Sequence, residues 1–258
     1  MAGLGGSGAH RVRGEGTRLE GVLLGLLAFG VALGPGAHHA RADEAPVRAA
    51  EPRREADFSH PYGLVEFGVG VLVLPDAELC GGQAGCDRGD LSLEVDAWPL
   101  FRASPRFAVG AGMTLALIPF QDVPRVDTRF PREHARRYFT AEGIGRYYFL
   151  NGHDVEFWAG ISAGLVVVSD NFRTPSNNPD MAIIGADSAN IATEGMSLGL
   201  ASGVTFGVNP HLQVGATLRF ANWYLPPYRE AIAFGEEASL SNRVTMLNLA
   251  LTVAYHSR

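Results

Sequence analysis

The sequence predicts an all-β fold: an eight-stranded antiparallel up-and-down transmembrane β-barrel with short periplasmic turns and long extracellular loops. Three observations lead to this prediction: an export signal at the N-terminus, eight segments that alternate between two kinds of side chain, and connections that alternate between short and long. After the export signal, no apolar run is long enough for a transmembrane helix. A chain that spans a membrane without helices must close its strands into a barrel, because lipid offers the backbone no hydrogen-bond partners.

The N-terminal segment has the three parts of a secretory signal peptide. A basic region at 11–18 precedes the uncharged apolar run 21–33, and residues 40–42 (ARA) supply the small residues of a cleavage site. The apolar run is shorter than the ~20 residues that a spanning helix needs. We therefore predict a signal peptide over 1–42. Residues 43–60, rich in alanine, proline and charge at their start, are predicted to form a disordered periplasmic leader before a barrel over 61–258.

Composition excludes some classes of function. The net charge of −6, from 27 acidic and 21 basic residues, argues against a nucleic-acid partner, whose binding needs a basic face. The hydrophobic content of 47% argues against a disordered protein. No residue pattern points to a metal or another cofactor, so we expect none.

The predicted strands all show period-two alternation over a length that suits a tilted membrane strand. They cover 62–74, 90–102, 106–119, 136–150, 154–170, 195–208, 211–225 and 243–256. Tight turns are predicted at 102–105, 151–153 and 209–210, where Asn151-Gly152 is the strongest hairpin signal. The long, polar connections cover roughly 75–89, 121–135, 171–194 and 226–242. Long loops at one end and short turns at the other are typical of outer-membrane barrels, which place the long loops outside the cell.

The two faces of the predicted strands differ as lipid and a narrow lumen require. In the first strand, one face carries Val65, Phe67, Val69, Val71 and Val73, and the other carries Glu66, Gly68 and Gly70. Small residues with a few charges suit a lumen that side chains just fill. A soluble barrel would place its apolar face inside. Pro99 fits less well, because it lacks a ladder donor and is expected at a strand end or a bulge.

The chain resembles the OmpA/OmpX/opacity-protein group of outer-membrane barrels over about residues 60–256. Its most recognisable piece is GIGRYYF at 143–149, which is similar to the glycine–arginine–aromatic strand common in that group. The C-terminal strand resembles the signal read by the barrel-assembly machinery, although Tyr255 is followed by three further residues. The resemblance implies a monomer in the cell outer membrane, in contact with its lipid and with lipopolysaccharide. Members of the group serve as structural anchors, adhesins or small-molecule pores, so the fold alone selects no function.

Seven charged residues are predicted to face the lumen: Glu66, Glu94, Asp96, Glu142, Arg146, Glu156 and Arg219. One interpretation is a buried ion-pair network that plugs the barrel, since isolated charges there are costly. The other is a proton or cation path, since five acids face two arginines. We expect the plug, with each arginine bridging more than one acid. Arg146 is expected to pair above all with Glu156 across the Asn151-Gly152 hairpin.

The predicted loops contain two further sets of candidate residues. Cys80 and Cys86 are expected to form a disulfide, because the compartment is oxidising. Five arginines along the second long loop and the outer end of the fourth strand are candidates to pair with lipopolysaccharide phosphates: Arg125, Arg129, Arg132, Arg136 and Arg137. The alternative is ordinary loop charge balanced by nearby acids.

Three functions follow from these features. The leading hypothesis is a non-catalytic outer-membrane protein with a structural or surface-interaction role. The first alternative is a passive, porin-like pore for small or apolar molecules. The second is a lipid A-modifying enzyme, which would need a histidine with a serine and a carboxylate. For that role His153 and His211 lie in the short turns, and His134 has no serine near it in sequence.

Overall fold

The computed structural model describes residues 58, 60–79, 89–119, 133–152, 154–173, 188–232 and 236–257. They contain β1 (Tyr62–Leu74), β2 (Asp90–Arg102), β3 (Phe107–Pro119), β4 (Glu133–Asn151), β5 (Val155–Arg173), β6 (Ser188–Asn209), β7 (Leu212–Tyr224) and β8 (Arg243–His256). Each strand pairs antiparallel with the next, and β1 pairs with β8 to close the barrel. No helix in these ranges is long and apolar enough to cross a membrane. The predicted fold class is confirmed.

Most strand boundaries agree with the prediction to within one residue, but the central strands are longer. β4, β5 and β6 have 19, 19 and 22 residues, against 13 or 14 in the others. The last described pairs with the flanking strands are Ala116↔Tyr138 and Met196↔Tyr224. Beyond them β4, β5 and β6 continue to pair with one another. We call this three-stranded part, residues 133–137, 169–173 and 188–195, the extension.

The register fixes the tilt of the strands. Starting at Tyr62, successive partners around the barrel are Arg102, Ala108, Arg146, Gly160, Ala201, Arg219 and Asn248, and the circuit returns to β1 at Leu72. The return is offset by ten residues (72 − 62 = 10). At ~3.3 Å per residue and ~4.8 Å between strands, this offset over eight strands corresponds to a tilt of about 40°. A barrel of this size has a lumen that side chains can fill.

The barrel is apolar outside and polar inside. Outward-facing Leu251 is 73% exposed and Phe67 is 59% exposed, and most of the large exposed side chains are apolar. Inward-facing Glu66 and Arg146 are each 2% exposed. An apolar exterior of this extent is stable in lipid and not in water.

Pro99 does not lie at a strand end. It is inside β2, and it faces outward. The register of β2 with β3 passes from Ala97↔Met113 to Leu100↔Gly110 without a pair at Trp98 or Pro99. The missing N–H of proline therefore coincides with an interruption of this ladder, and the register shift of this strand pair is farther up, at Leu93/Glu94.

Several predictions fall largely or wholly outside the described residues. They concern the signal peptide, most of the leader, the disulfide Cys80–Cys86, and the loop arginines Arg125, Arg129 and Arg132. Near the end of the leader, Phe58 packs against Tyr62, with their ring centroids 5.9 Å apart.

Candidate functional site: the filled lumen

Four arginines in the described part of the lumen each pair with a carboxylate and lie over an aromatic ring. The arginine–carboxylate distances are 2.6–2.8 Å, and the guanidinium carbons lie 3.8–5.7 Å from the ring centroids. From the short-turn end to the loop end, the units are Arg102 with Glu156 and Tyr148, Arg146 with Glu66 and Trp158, Arg219 with Glu142 and Trp98, and Arg136 with Asp90 and Tyr138. All eight charged side chains are buried.

Each ion pair joins two strands that are not neighbours. Arg146 on β4 donates from Nη1 and Nη2 to the two oxygens of Glu66 on β1, at 2.9 and 2.7 Å. Arg219 on β7 donates to Glu142 on β4. These side chains therefore cross the lumen instead of lying along its wall. Bidentate, charge-assisted bonds of this kind are among the stronger hydrogen bonds in proteins.

The pair nearest the short turns also contacts a turn. Nη1 of Arg102 lies 2.8 and 2.9 Å from the two oxygens of Glu156, and Nη2 donates to the carbonyl oxygen of Pro105 at 2.6 Å. Gln213 donates a further hydrogen bond to Glu156 at 3.3 Å. Arg102 thus ties β2, β5 and the first turn together at this end of the lumen.

Described residues of the connection between β7 and β8 lie against the inward side of the extension at the loop end of the lumen. The backbone N–H of Ser239 in this connection donates to Oδ2 of Asp170 at 2.8 Å. His134 Nε2 lies 2.8 Å from Oδ1 of the same carboxylate, and its ring stacks on Phe172. Ala238 packs against Phe172 and Ile191 of the extension. The described part of this loop is therefore held on the inward side of the extension.

Two apolar clusters lie on either side of the middle of the lumen. The loop-side cluster includes Leu72, Leu74, Tyr138, Trp223, Leu240 and Met246, and the turn-side cluster includes Tyr62, Leu64, Trp98, Tyr148 and Trp158. All three tryptophans of the chain are thus buried inside the barrel. Gly203 makes room for one of them, since a Cβ there would lie 2.6 Å from the ring of Trp158.

Glu94 and Asp96 are the two predicted lumen residues that have no arginine partner. Glu94 is 1% exposed, and neither of its carboxylate oxygens has a hydrogen-bond partner among the described residues. Asp96 leaves Oδ1 without one. The carboxyl group of Asp96 lies over Gly68, where a Cβ would come within 2.5 Å of Oδ1. Arg219 interacts electrostatically with both acids, although it hydrogen-bonds to Glu142.

The predicted pairing of Arg146 with Glu156 is wrong. Arg146 pairs with Glu66, and Glu156 pairs with Arg102. The prediction that each arginine directly bridges several acids is also wrong for these ion pairs, since each hydrogen-bonds to one carboxylate. Both errors arise because the described residues of the lumen include four arginines, whereas two were predicted. The positions of Arg102 and Arg136 were detectable, because each has the same parity as the other inward-facing residues of its strand.

Arg136 does not contact lipopolysaccharide as predicted. It is 3% exposed and donates to Asp90 inside the barrel, because it shares the inward parity of Tyr138 and Thr140. Arg137, the next residue, is exposed on the outer face. The remaining predicted residues of this set lie outside the described ranges.

A histidine, an aspartate and a serine, the side-chain types of a serine hydrolase, lie together at His134, Asp170 and Ser239. In a catalytic triad the histidine lies between the serine and the carboxylate, and here it does not. Asp170 lies between the other two, and it accepts from the Ser239 backbone rather than from its hydroxyl. The hydroxyl of Ser239 is buried and has no hydrogen-bond partner among the described residues. Activation of a serine requires a base that hydrogen-bonds to its hydroxyl. The described residues also contain no cluster of three or more potential metal ligands.

No protein-family model matches the chain, and no curated protein matches it. Solved structures with a similar fold include Neisserial surface protein A, with 12% identity and a TM-score of 0.49 over 75% of this chain and 96% of that one. Ail, the attachment invasion locus protein of Yersinia pestis, has 11% identity and a TM-score of 0.43 over 76% of this chain and 99% of its own. A major outer membrane protein from Thermus thermophilus has 16% identity and a TM-score of 0.47 over 76% of this chain and 98% of its own.

At these identities and TM-scores the similarities carry no argument about this chain. The physical evidence for a membrane barrel is the closed antiparallel ring, the apolar exterior and the buried charges. The chain is an eight-stranded antiparallel β-barrel with a polar, side-chain-filled interior and an apolar exterior of the kind that lipid stabilises.

Proposed function

We propose that this barrel is a non-catalytic outer-membrane protein with a structural or surface-interaction role and a lumen plugged by its own side chains. The observation that supports the plug is the series of four ion pairs that cross the lumen at successive heights. Each arginine also covers an aromatic ring, so that charge and apolar surface fill the same cross-section.

The energetics favour a closed lumen. Removing one partner of a buried ion pair costs about 3–5 kcal/mol, because the other charge remains buried. If separating a pair costs a similar amount, its open state is populated about 10²–10⁴-fold less than the closed one, at ~1.4 kcal/mol per tenfold. An aqueous path through this barrel would require several such openings together with displacement of two apolar clusters.

Single-channel recording in planar bilayers tests this proposal. The refolded wild-type barrel should add no steady conductance, because no pair opens often enough for ions to pass. Arg146→Ala should raise the conductance or lower the melting temperature, since it removes the ion pair with Glu66 that crosses the lumen. Steady cation-selective openings of the wild-type protein would reject the plug.

One observation favours the alternative of a passive pore. Glu94 and Asp96 are buried in the middle of the lumen and lack arginine partners, as the acids of a cation path would. If the barrel conducts, Glu94→Gln should reduce its preference for cations. If the barrel is plugged, the same variant should be as silent as the wild type.

The partners of the proposed function follow from its place in the envelope. Outer-membrane lipid surrounds the apolar exterior. We expect the barrel-assembly machinery to insert the chain, and we expect the folded barrel to be a monomer. Contact with lipopolysaccharide is also part of the proposal.

A further inference from the structure

A groove lies on the outward face of the extension, at the loop end of the barrel. It has a volume of about 520 Å³ and is lined by His134, Ala135, Arg137, Ser169, Asn171, Arg173 and Asn190. Along β4, Arg137 comes two residues beyond the outward-facing Phe139. Along β5, Ser169 comes two residues beyond Val167, which pairs with Phe139. The groove therefore begins where the apolar lipid-facing rows end.

Two arginines border the groove at different heights. Arg137 is exposed, and it has no hydrogen-bond or ion-pair partner among the described residues. Arg173 is also exposed, and its Nε donates to Oδ1 of Asn171 at 3.0 Å, which leaves both Nη groups for other acceptors. Between the two arginines, Asn171 pairs in register with Ala135. The small side chain of Ala135 makes the centre of this surface a hollow rather than a ridge.

Of the other polar residues of the groove, Ser169, Asn171 and Asn190 are uncharged, and His134 lies against the Asp170 carboxylate. The hydroxyl of Ser169 donates to Oδ1 of Asn190 at 2.9 Å, which crosses from β5 to β6. The acids nearest in register are Glu133, which pairs with Arg173, and Glu194, which pairs with Val167 on the apolar side. Two guanidinium groups with amides and a hydroxyl between them are typical of a phosphate site.

We propose that this groove binds a phosphate group of lipopolysaccharide in the outer leaflet. The proposal rests on the outer-membrane location and deepens the surface-interaction role. Acyl chains that lie against Phe139, Leu165 and Met196 would bring a headgroup to the height of the groove. A free phosphate ion would gain nothing from the apolar side chains below the groove, whereas a lipid would contact them with its acyl chains. The lipid is therefore the favoured source of the phosphate.

The binding of fluorescent rough lipopolysaccharide with intact lipid A phosphates to the barrel in nanodiscs tests the proposal. Arg137→Gln combined with Arg173→Gln should weaken binding about tenfold or more, because charge-assisted contacts are lost. Arg243→Gln is the matched control, since Arg243 is also an outward-facing, exposed arginine at the loop end, where it pairs with Tyr224 of β7. It should leave the affinity unchanged.

Three results would overturn the assignment. An equal loss in Arg243→Gln would show a general effect of charge. Equal affinity of the wild type for dephosphorylated lipopolysaccharide would show that phosphate is not recognised. Complete displacement by millimolar inorganic phosphate would indicate a site for the free ion. Folding of each variant is checked by its heat-dependent gel migration. The bilayer recordings remain a separate test, because a silent lumen does not depend on this groove.

Discussion

Replacing Arg146 with methionine should destabilise the barrel by about 3–5 kcal/mol, because the substitution leaves the Glu66 carboxylate buried without its partner. The structure supports the upper part of this range. Arg146 gives Glu66 two hydrogen bonds, at 2.9 and 2.7 Å, and its guanidinium carbon lies 3.9 Å from the centroid of a Trp158 ring. Methionine keeps an apolar stem near that ring, so the variant mainly removes the charge.

The double variant Arg146→Met/Glu66→Leu separates the ion pair from packing. Replacing both members of a buried pair by apolar residues is often neutral or stabilising. We therefore expect the double variant to be within about 1.5 kcal/mol of the wild type. Arg106→Met, in an exposed turn, is the control and should change stability by no more than about 0.5 kcal/mol.

Urea unfolding in phospholipid vesicles, followed by tryptophan fluorescence, measures these differences. The signal reports the lumen directly, since all three tryptophans are buried there. If the double variant were destabilised by the sum of the effects of Arg146→Met and Glu66→Leu, each measured alone, the claimed coupling between Arg146 and Glu66 would be refuted. A single variant as stable as Arg106→Met would refute it too.

Three further substitutions test the lipid face, the unpaired acid and the space around a lumen tryptophan. Leu249→Arg should cost about 2–4 kcal/mol in vesicle unfolding, because residue 249 faces lipid in the middle of β8, and a neutral result would contradict that orientation. Glu94→Gln should be neutral or stabilising in the same assay, whereas Glu142→Gln should destabilise the barrel because it weakens the pairing of a buried arginine. Equal effects would mean that the two carboxyl groups have similar surroundings. Gly203→Ala should cost about 1–3 kcal/mol by displacing a tryptophan ring. Gly145→Ala meets nothing within 4 Å, and a comparable loss there would point to backbone effects.

The barrel was predictable because lipid imposes a simple pattern on each strand. Alternation between apolar and small or polar residues identifies β1, β2 and β8 at their observed boundaries. The outer part of the extension, residues 133–135, 171–173 and 188–194, was missed because it lies beyond the apolar band, where outward-facing residues are polar. In residues 188–194 (SANIATE), the outward side chains include serine, asparagine and glutamate, so the segment has the composition of a loop.

The partners in the lumen could not be predicted from parity alone, because they depend on the tilt. The register line from Glu66 passes through the Trp98 region of β2 and reaches β4 at Glu142. With an offset of ten residues over eight strands, three strand steps change the height by about four residues. The β4 residue level with Glu66 is therefore Arg146. Sequence reasoning without this offset favoured the nearer hairpin and the wrong partner, Glu156.

The central claim is that the lumen is closed to water and separated from lipid, and fluorescence quenching tests it most directly. Trp98, Trp158 and Trp223 lie inside the barrel wall and are at most 2% exposed. In vesicles, aqueous iodide should therefore quench the tryptophan fluorescence of the folded barrel very little, and brominated acyl chains should quench it weakly. Strong quenching by iodide would show an open aqueous lumen. Strong quenching by brominated lipid would show that the inward and outward faces are assigned the wrong way round.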